Sequence, residues 1–209
     1  MKKITKSKKI ITTITVLGFG VILASQSLQV PTTNAATDST NTTINANVYS
    51  TISVSTSVSS INLAVIPTSS GTASSQSHDV AVSTNNSSGY ILYLNMASDA
   101  TNNSLNKDSD YIAAHNGTDT VPSQLSVNTW GYRIEGGSFG SGDMTPQTNV
   151  ANLAGSFAGI PMSPTPVALK NTSAPSNNDT TSVLYGVKVD GSKPSGQYSN
   201  TVVYTAITK

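Results

Sequence analysis

Through most of this chain, apolar residues alternate with Ser, Thr or Asn. Ile52, Val54, Thr56 and Val58 are separated by serines. A period of two lays one face of a β-strand against a core. Ile61, Leu63 and Val65 continue the alternation on the opposite parity. A bulge or bend near Ser59-Ser60 is therefore predicted to return both halves to one core, and Pro67 ends the run. Val80 and Val82 alternate with Asp79, Ala81 and Ser83. Thr84 to Gly89 then supplies Asn and Gly, which tolerate positive φ in turns. Tyr90 to Met96 places Tyr90, Leu92, Leu94 and Met96 on one face. Ile91 and Tyr93 make its other face apolar too, so this strand is predicted to be central. With Val80 and Val82 it reads as a hairpin.

Further along, short strands are predicted near Leu105 and Tyr111. Asn128 to Glu135 is expected to be a strand carrying the only tryptophan, Trp130. Residues 136–182 read mostly as loop, punctuated by Gly136, Gly137, Gly140, Gly142 and five prolines, with a short strand at Val167-Ala168-Leu169. Ser182 to Val189 and Tyr198 to Ile207 predict a second hairpin around Asp190-Gly191. Seven to ten strands with no amphipathic helix predict an all-β fold, an antiparallel β-sandwich of immunoglobulin-like or jelly-roll-like type. A single domain is expected over 48–209.

The N-terminus departs from this pattern. Five lysines lie within residues 1–9, and an apolar run from Ile10 to Ala24 follows. That run is shorter than the ~20 residues of a membrane span. Pro31 breaks it, and Thr33-Asn34-Ala35-Ala36 offers small residues for cleavage after Ala35 or Ala36. Residues 1–35 thus read as a signal-peptide helix for secretion. Residues 36–47, rich in Thr and Asn, read as a flexible leader with too little apolar surface to offset ordering entropy.

Composition sharpens this reading. Ser, Thr and Asn number 33, 28 and 19. Only 10% of residues are charged, against roughly 25% in an ordinary soluble domain. Loss of the five signal lysines would leave six Lys and Arg against ten Asp and Glu, a net charge of −4. No later basic cluster exists to track phosphates, so nucleic-acid binding is not expected. Membrane contact is expected only through an uncleaved signal segment. The absence of Cys excludes disulfides, thiolate metal sites and Cys nucleophiles.

Candidate chemistry is sparse, and no cofactor is expected. Gly136-Gly137-Ser138-Phe139-Gly140 matches the Gly-x-Ser-x-Gly elbow, but that motif needs a helix after the serine and a histidine downstream. His78 and His115 both precede Ser138. His78 and Asp79 would point to opposite faces of a strand, at a water-facing edge. His115, beside a turn, is expected to be exposed. Asp99, Asn102, Asn103, Asp108 and Asp110 gather oxygen ligands of the kind calcium takes, with Asp99, Asp108 and Asp110 as its carboxylates. Trp130 and Tyr132 share a strand face, either as the core centre or as a ligand face for a glycan or peptide, with Tyr90 and Tyr93 as further aromatic candidates. Glu135 and Asp143 are the carboxylates of a hydrolase reading.

Two segments carry a resemblance. The first is Asp79-Val80-Ala81-Val82-Ser83-Thr84-Asn85-Asn86 with Gly89-Tyr90-Ile91-Leu92. The second runs from Tyr185-Gly186-Val187-Lys188-Val189 through Pro194-Ser195-Gly196-Gln197-Tyr198 to Thr201-Val202-Val203-Tyr204-Thr205-Ala206. With Thr129-Trp130-Gly131-Tyr132, they resemble uncharacterised secreted β-sandwich proteins of candidate-phyla bacteria. More distantly they are similar to the WxL cell-wall-binding domain of Gram-positive surface proteins. Where that domain ends in Trp-x-Leu, this chain has Tyr204-Thr205-Ala206. The resemblance implies a secreted, surface-located β-domain held non-covalently to the envelope.

Three functions follow as expectations. The first is a non-catalytic secreted or cell-surface protein for cell-envelope association or adhesion, whose partner is a cell-wall or host-surface component such as a glycan. The second is a self-assembling, pilin-like or matrix subunit, in which the leader and Val48 to Val58 add to a neighbour's sheet. The third is a secreted hydrolase using carboxylates.

Overall fold

The computed structural model describes residues 36–209. The signal-peptide reading of 1–35 lies outside the described residues. Residues 36–46 have no helix or strand and are exposed. The compact unit spans Asn47–Lys209.

That unit is nearly all β, with two sheets in a sandwich-like arrangement. Its strands are β1 (Ile52–Thr56), β2 (Thr72–Thr84), β3 (Tyr90–Met96), β4 (Leu105–Lys107), β5 (Asp110–Ala114), β6 (Thr129–Ile134), β7 (Val167–Asn171), β8 (Ser176–Val189) and β9 (Val202–Thr208). Six form one sheet in the order β1-β2-β8-β6-β5-β4, and three form the other in the order β7-β3-β9. All pairs are antiparallel except β5 with β6.

Neither predicted hairpin forms. β2 and β3 belong to different sheets, and so do β8 and β9. β2 already has β1 and β8 on its two edges, and β8 has β2 and β6. No edge of either remains for its successor in sequence. The Asn85–Gly89 turn instead throws β3 across to the second layer, with Gly89 at φ +80°. Val80 and Val82 of β2 then face Tyr90, Leu92, Leu94 and Met96 of β3 through the main core. β3 is central in its sheet, as its two-sided apolar pattern predicts.

The long β2–β8 ribbon is the second departure. Its outer halves, Thr72–Ser77 and Ser176–Thr181, are almost wholly polar, yet the first pairs with Leu184–Val189 and the second with Val80–Thr84. Ser74 and Ser75 are buried because another segment lies over them. The Ala73 and Val150 backbones exchange hydrogen bonds of 2.7 and 2.9 Å. Ser75 N–H donates to the Gln147 carbonyl, and the Ser75 and Ser74 hydroxyls accept from the Gln147 and Asn149 amides. A smaller core of Ala73, Leu125, Leu153, Phe157 and Leu184 fills the outer face of the six-stranded sheet beneath this cover.

The first apolar run gives β1 and then an extended stretch outside any strand. Ile52 on one parity and Ile61, Leu63 and Val65 on the other all pack against the main core. Ser57 N–H donates to the Asp79 carbonyl, and Ile66 N–H donates to Asn149 Oδ1. Residues 58–65 make no backbone–backbone hydrogen bond.

Candidate functional site

The stretch 57–65 and the chain from Gly196 to Tyr204 flank an open cleft of about 780 Å³. Two lysines outside the lining brace the chain behind one rim. Lys107 Nζ donates to the Ser195 carbonyl at 2.7 Å and lies over the Tyr198 ring. Lys193 Nζ donates to the Tyr111 carbonyl at 2.7 Å. Ser199 and Asn106 exchange backbone bonds, fixing the approach to β9. On the cleft floor lie Leu105, Ile112, Trp130, Tyr185 and Val187, all from the inner face of the six-stranded sheet.

Three strands bring together a polar group at the end of this floor. His78 of β2, Tyr204 of β9 and Tyr185 of β8 all line the cleft. His78 Nε2 is 2.7 Å from the Tyr204 hydroxyl, which is 2.6 Å from the Tyr185 hydroxyl. The Trp130 ring stacks near Tyr185, with centroids 6.3 Å apart. Burial pushes the His78 pKa down, against the opposing pull of Asp79 and the Val58 backbone. Burial also pushes both tyrosines up. Burial thus favours the neutral form of all three, and their polar atoms form a hydrogen-bond chain. His78 Nδ1 is buried with no hydrogen-bond partner among the described residues. Among the described residues, no Asp, Glu, Lys or Arg lines the cleft.

The structure redistributes the sequence candidates. Trp130 is 4% exposed and Tyr132 only 1%, so they do not form an open aromatic face. Trp130 Nε1 donates to the Asn103 carbonyl, and the ring forms part of the cleft floor. Tyr132 lies deeper, against Phe139. Tyr90 is also core, its hydroxyl donating to Asp179 Oδ2. Tyr93 is half-buried on the opposite face of β3.

Calcium has no assembled site at Asp99, Asp108 and Asp110. Among the described residues, no group of three or more His, Asp or Glu side chains is placed to hold a metal. Asp99 and Asp108 are exposed in turns. The amides serve the fold instead: Asn102 Oδ1 accepts from the Ser104 amide, and Asn103 Nδ2 donates to the Ile160 carbonyl.

Both histidines are buried, at 8% for His78 and 5% for His115. This corrects the water-facing placement of His78 and the exposed placement of His115; Asp79 is exposed. His115 Nε2 is 2.9 Å from Ser123 Oγ. Ser138 sits exposed in a three-residue 3-10 turn, Gly137–Phe139, rather than before a long helix. Glu135 and Asp143 are exposed.

Arg133 carries no sequence signal at all. It is fully buried beneath the 140–155 stretch, with Gly142 and Gly155 pressed against its guanidinium. Nη1 donates to the Ala154 carbonyl at 3.1 Å, while Nε and Nη2 have no partner among the described residues. The His78–Tyr204–Tyr185 cluster is equally illegible in the sequence, because only strand register and layer stacking join residues so far apart. Among the described residues, no helix is long and apolar enough to cross a membrane. No protein-family model, no curated protein and no solved structure matches this chain.

Proposed function

We propose that this is a non-catalytic secreted or cell-surface protein that associates with the cell envelope, or with a neighbouring cell, by receiving an extended partner in its cleft. One observation carries the reading: among the described residues, the cleft has an aromatic and aliphatic floor, hydroxyl and amide rims, and no Asp, Glu, Lys or Arg. Such a lining suits an uncharged chain, either a glycan stacked on aromatic surface or a peptide bonded through its backbone. The carboxylates of the hydrolase reading, Glu135 and Asp143, are exposed, and neither lines the cleft. Secretion is supported by the lysine-rich and apolar N-terminal sequence, and surface location by the WxL-like resemblance.

The test is co-sedimentation of the purified protein with washed cell walls and with intact cells. The expected result is a pelleted fraction that falls at least fivefold in Asn62→Trp and Gln197→Trp. Both residues line the rim of the cleft and are exposed. Equal pelleting by the parent and both variants overturns the cleft as the binding site, and no pelleting overturns envelope association.

A further inference from the structure

We infer that the cleft's partner is a second copy of this chain, whose segment Thr43–Tyr49 adds as a strand to the open edge of β9; this rests on the reading of the cleft as a binding site. Three independent observations meet here.

The first is an unpaired sheet edge. β9 is hydrogen-bonded to β3 on one side and, among the described residues, to no strand on the other. Met96 N–H donates to the Pro161 carbonyl, away from β9. The Met96–Val202 pair of the β3–β9 ladder is therefore non-hydrogen-bonded. Antiparallel alternation puts Leu94–Tyr204 in the same class. The backbone N–H and C=O groups of Val202 and Tyr204 accordingly point away from β3, and neither makes a backbone hydrogen bond on that side. Both residues also line the cleft. An open edge beside an apolar floor is a template for strand addition.

The second is an unpartnered strand pattern. Ile44, Ala46 and Val48 alternate with Asn45 and Asn47. Ile44, Val48 and Tyr49 are 88%, 85% and 80% exposed. Pairing on β9 would place Ile44, Ala46 and Val48 over the Trp130–Ile112 floor and leave the asparagines in water.

The third decides between the chain's own segment and a neighbour's. Asn85 Nδ2 donates to the Tyr49 carbonyl at 3.0 Å, and the Thr51 amide donates to Asn85 Oδ1 at 2.7 Å. This clamp holds 49–51 at the Ile52 end of β1. The cleft lining begins at the other end, with Thr56. To reach its own cleft, the segment would have to reverse direction beside the clamp, whereas a second copy's segment has no such constraint.

The experiment is sedimentation velocity on the full chain over a wide concentration range, with two variants. Ile44→Asp/Val48→Asp removes the apolar set of the donor segment, outside the packed core. Val202→Pro removes one outward N–H at the first residue of β9, where proline is tolerated. The expected result is concentration-dependent association of the parent, weakened at least tenfold in both variants and reversed by excess synthetic peptide of residues 41–50. Association unchanged in Ile44→Asp/Val48→Asp overturns the inference, and so does a parent that stays monomeric. The same proteins are then taken through the wall and cell sedimentation. A monomer that still pellets, and loses this in Asn62→Trp and Gln197→Trp, overturns the second-copy occupant and leaves the cleft as a binding site. A monomer that pellets with neither overturns both.

Discussion

Each face of the six-stranded sheet is covered in part by irregular chain, and the two covers differ. The 140–158 stretch over the outer face is tied down by backbone exchange between Ala73 and Val150 and by the Ser74 and Ser75 hydroxyls. It seals a small core in which Phe157 is wholly buried. The 57–66 stretch reaches the inner face, but between Ser57 and Ile66 it makes no backbone–backbone bond. It leaves a cleft. Both bring apolar side chains to a sheet. What separates them is whether the backbone polar groups have partners, because a segment whose N–H and C=O groups remain with solvent opens at little cost.

The largest effect is expected on the sealed side. Phe157→Ala should lower unfolding free energy by about 3–5 kcal/mol, measured by urea titration, because the ring is fully buried in a small core. A loss under about 1 kcal/mol would mean this cover is no tighter than the other. Gly155→Ala should cost about 2 kcal/mol in the same titration, since Gly155 has φ +82° and an added Cβ meets the Arg133 guanidinium. On the cleft side, Leu63→Ala should cost only about 1 kcal/mol, because Leu63 is half-buried beside open space. Amide exchange should be fast at 58–65 and slow at Ala73 and Val150; equal protection would erase the contrast.

The smallest effect is a pH dependence. Burial lowers the folded pKa of both His78 and His115. The unfolded chain, with histidine pKa near ~6.5, therefore binds more protons below that pH. Stability should be full above about pH 6.5 and fall as pH drops toward 5. His78→Gln should flatten part of that slope in a thermal scan. Asp143, Asp179 and Asp190 are held below the ordinary carboxylate range, so their loss comes at more acidic pH and does not mask the histidine window.

Much of the fold was legible because alternation survives wherever a strand has one buried face. β3, β5, β6, β7 and β9 fall where the pattern places them. The outer halves of β2 and β8 did not, because Thr72–Ser77 and Ser176–Thr181 have no alternation to read; the first pairs with Leu184–Val189 under the 147–150 cover, and the second pairs with Val80–Thr84. Of the candidate site, Trp130 was legible as a lone large aromatic, and its place in the cleft floor was not. His78 looked like a solvent-edge residue, since a strand pattern gives parity without saying what lies above it.

The sequence by itself determined the all-β class and which residues of most strands share a face, because side-chain parity is a local property of extended backbone. Tertiary structure alone decided which strands are neighbours. Two connections that read as hairpins became crossings between layers, because β2 and β8 each have both edges occupied by other strands. That same choice leaves β9 at an open edge and gathers His78, Tyr185 and Tyr204 from three strands beside it. Competition for a limited number of sheet edges is a property of the whole chain, and no local window contains it.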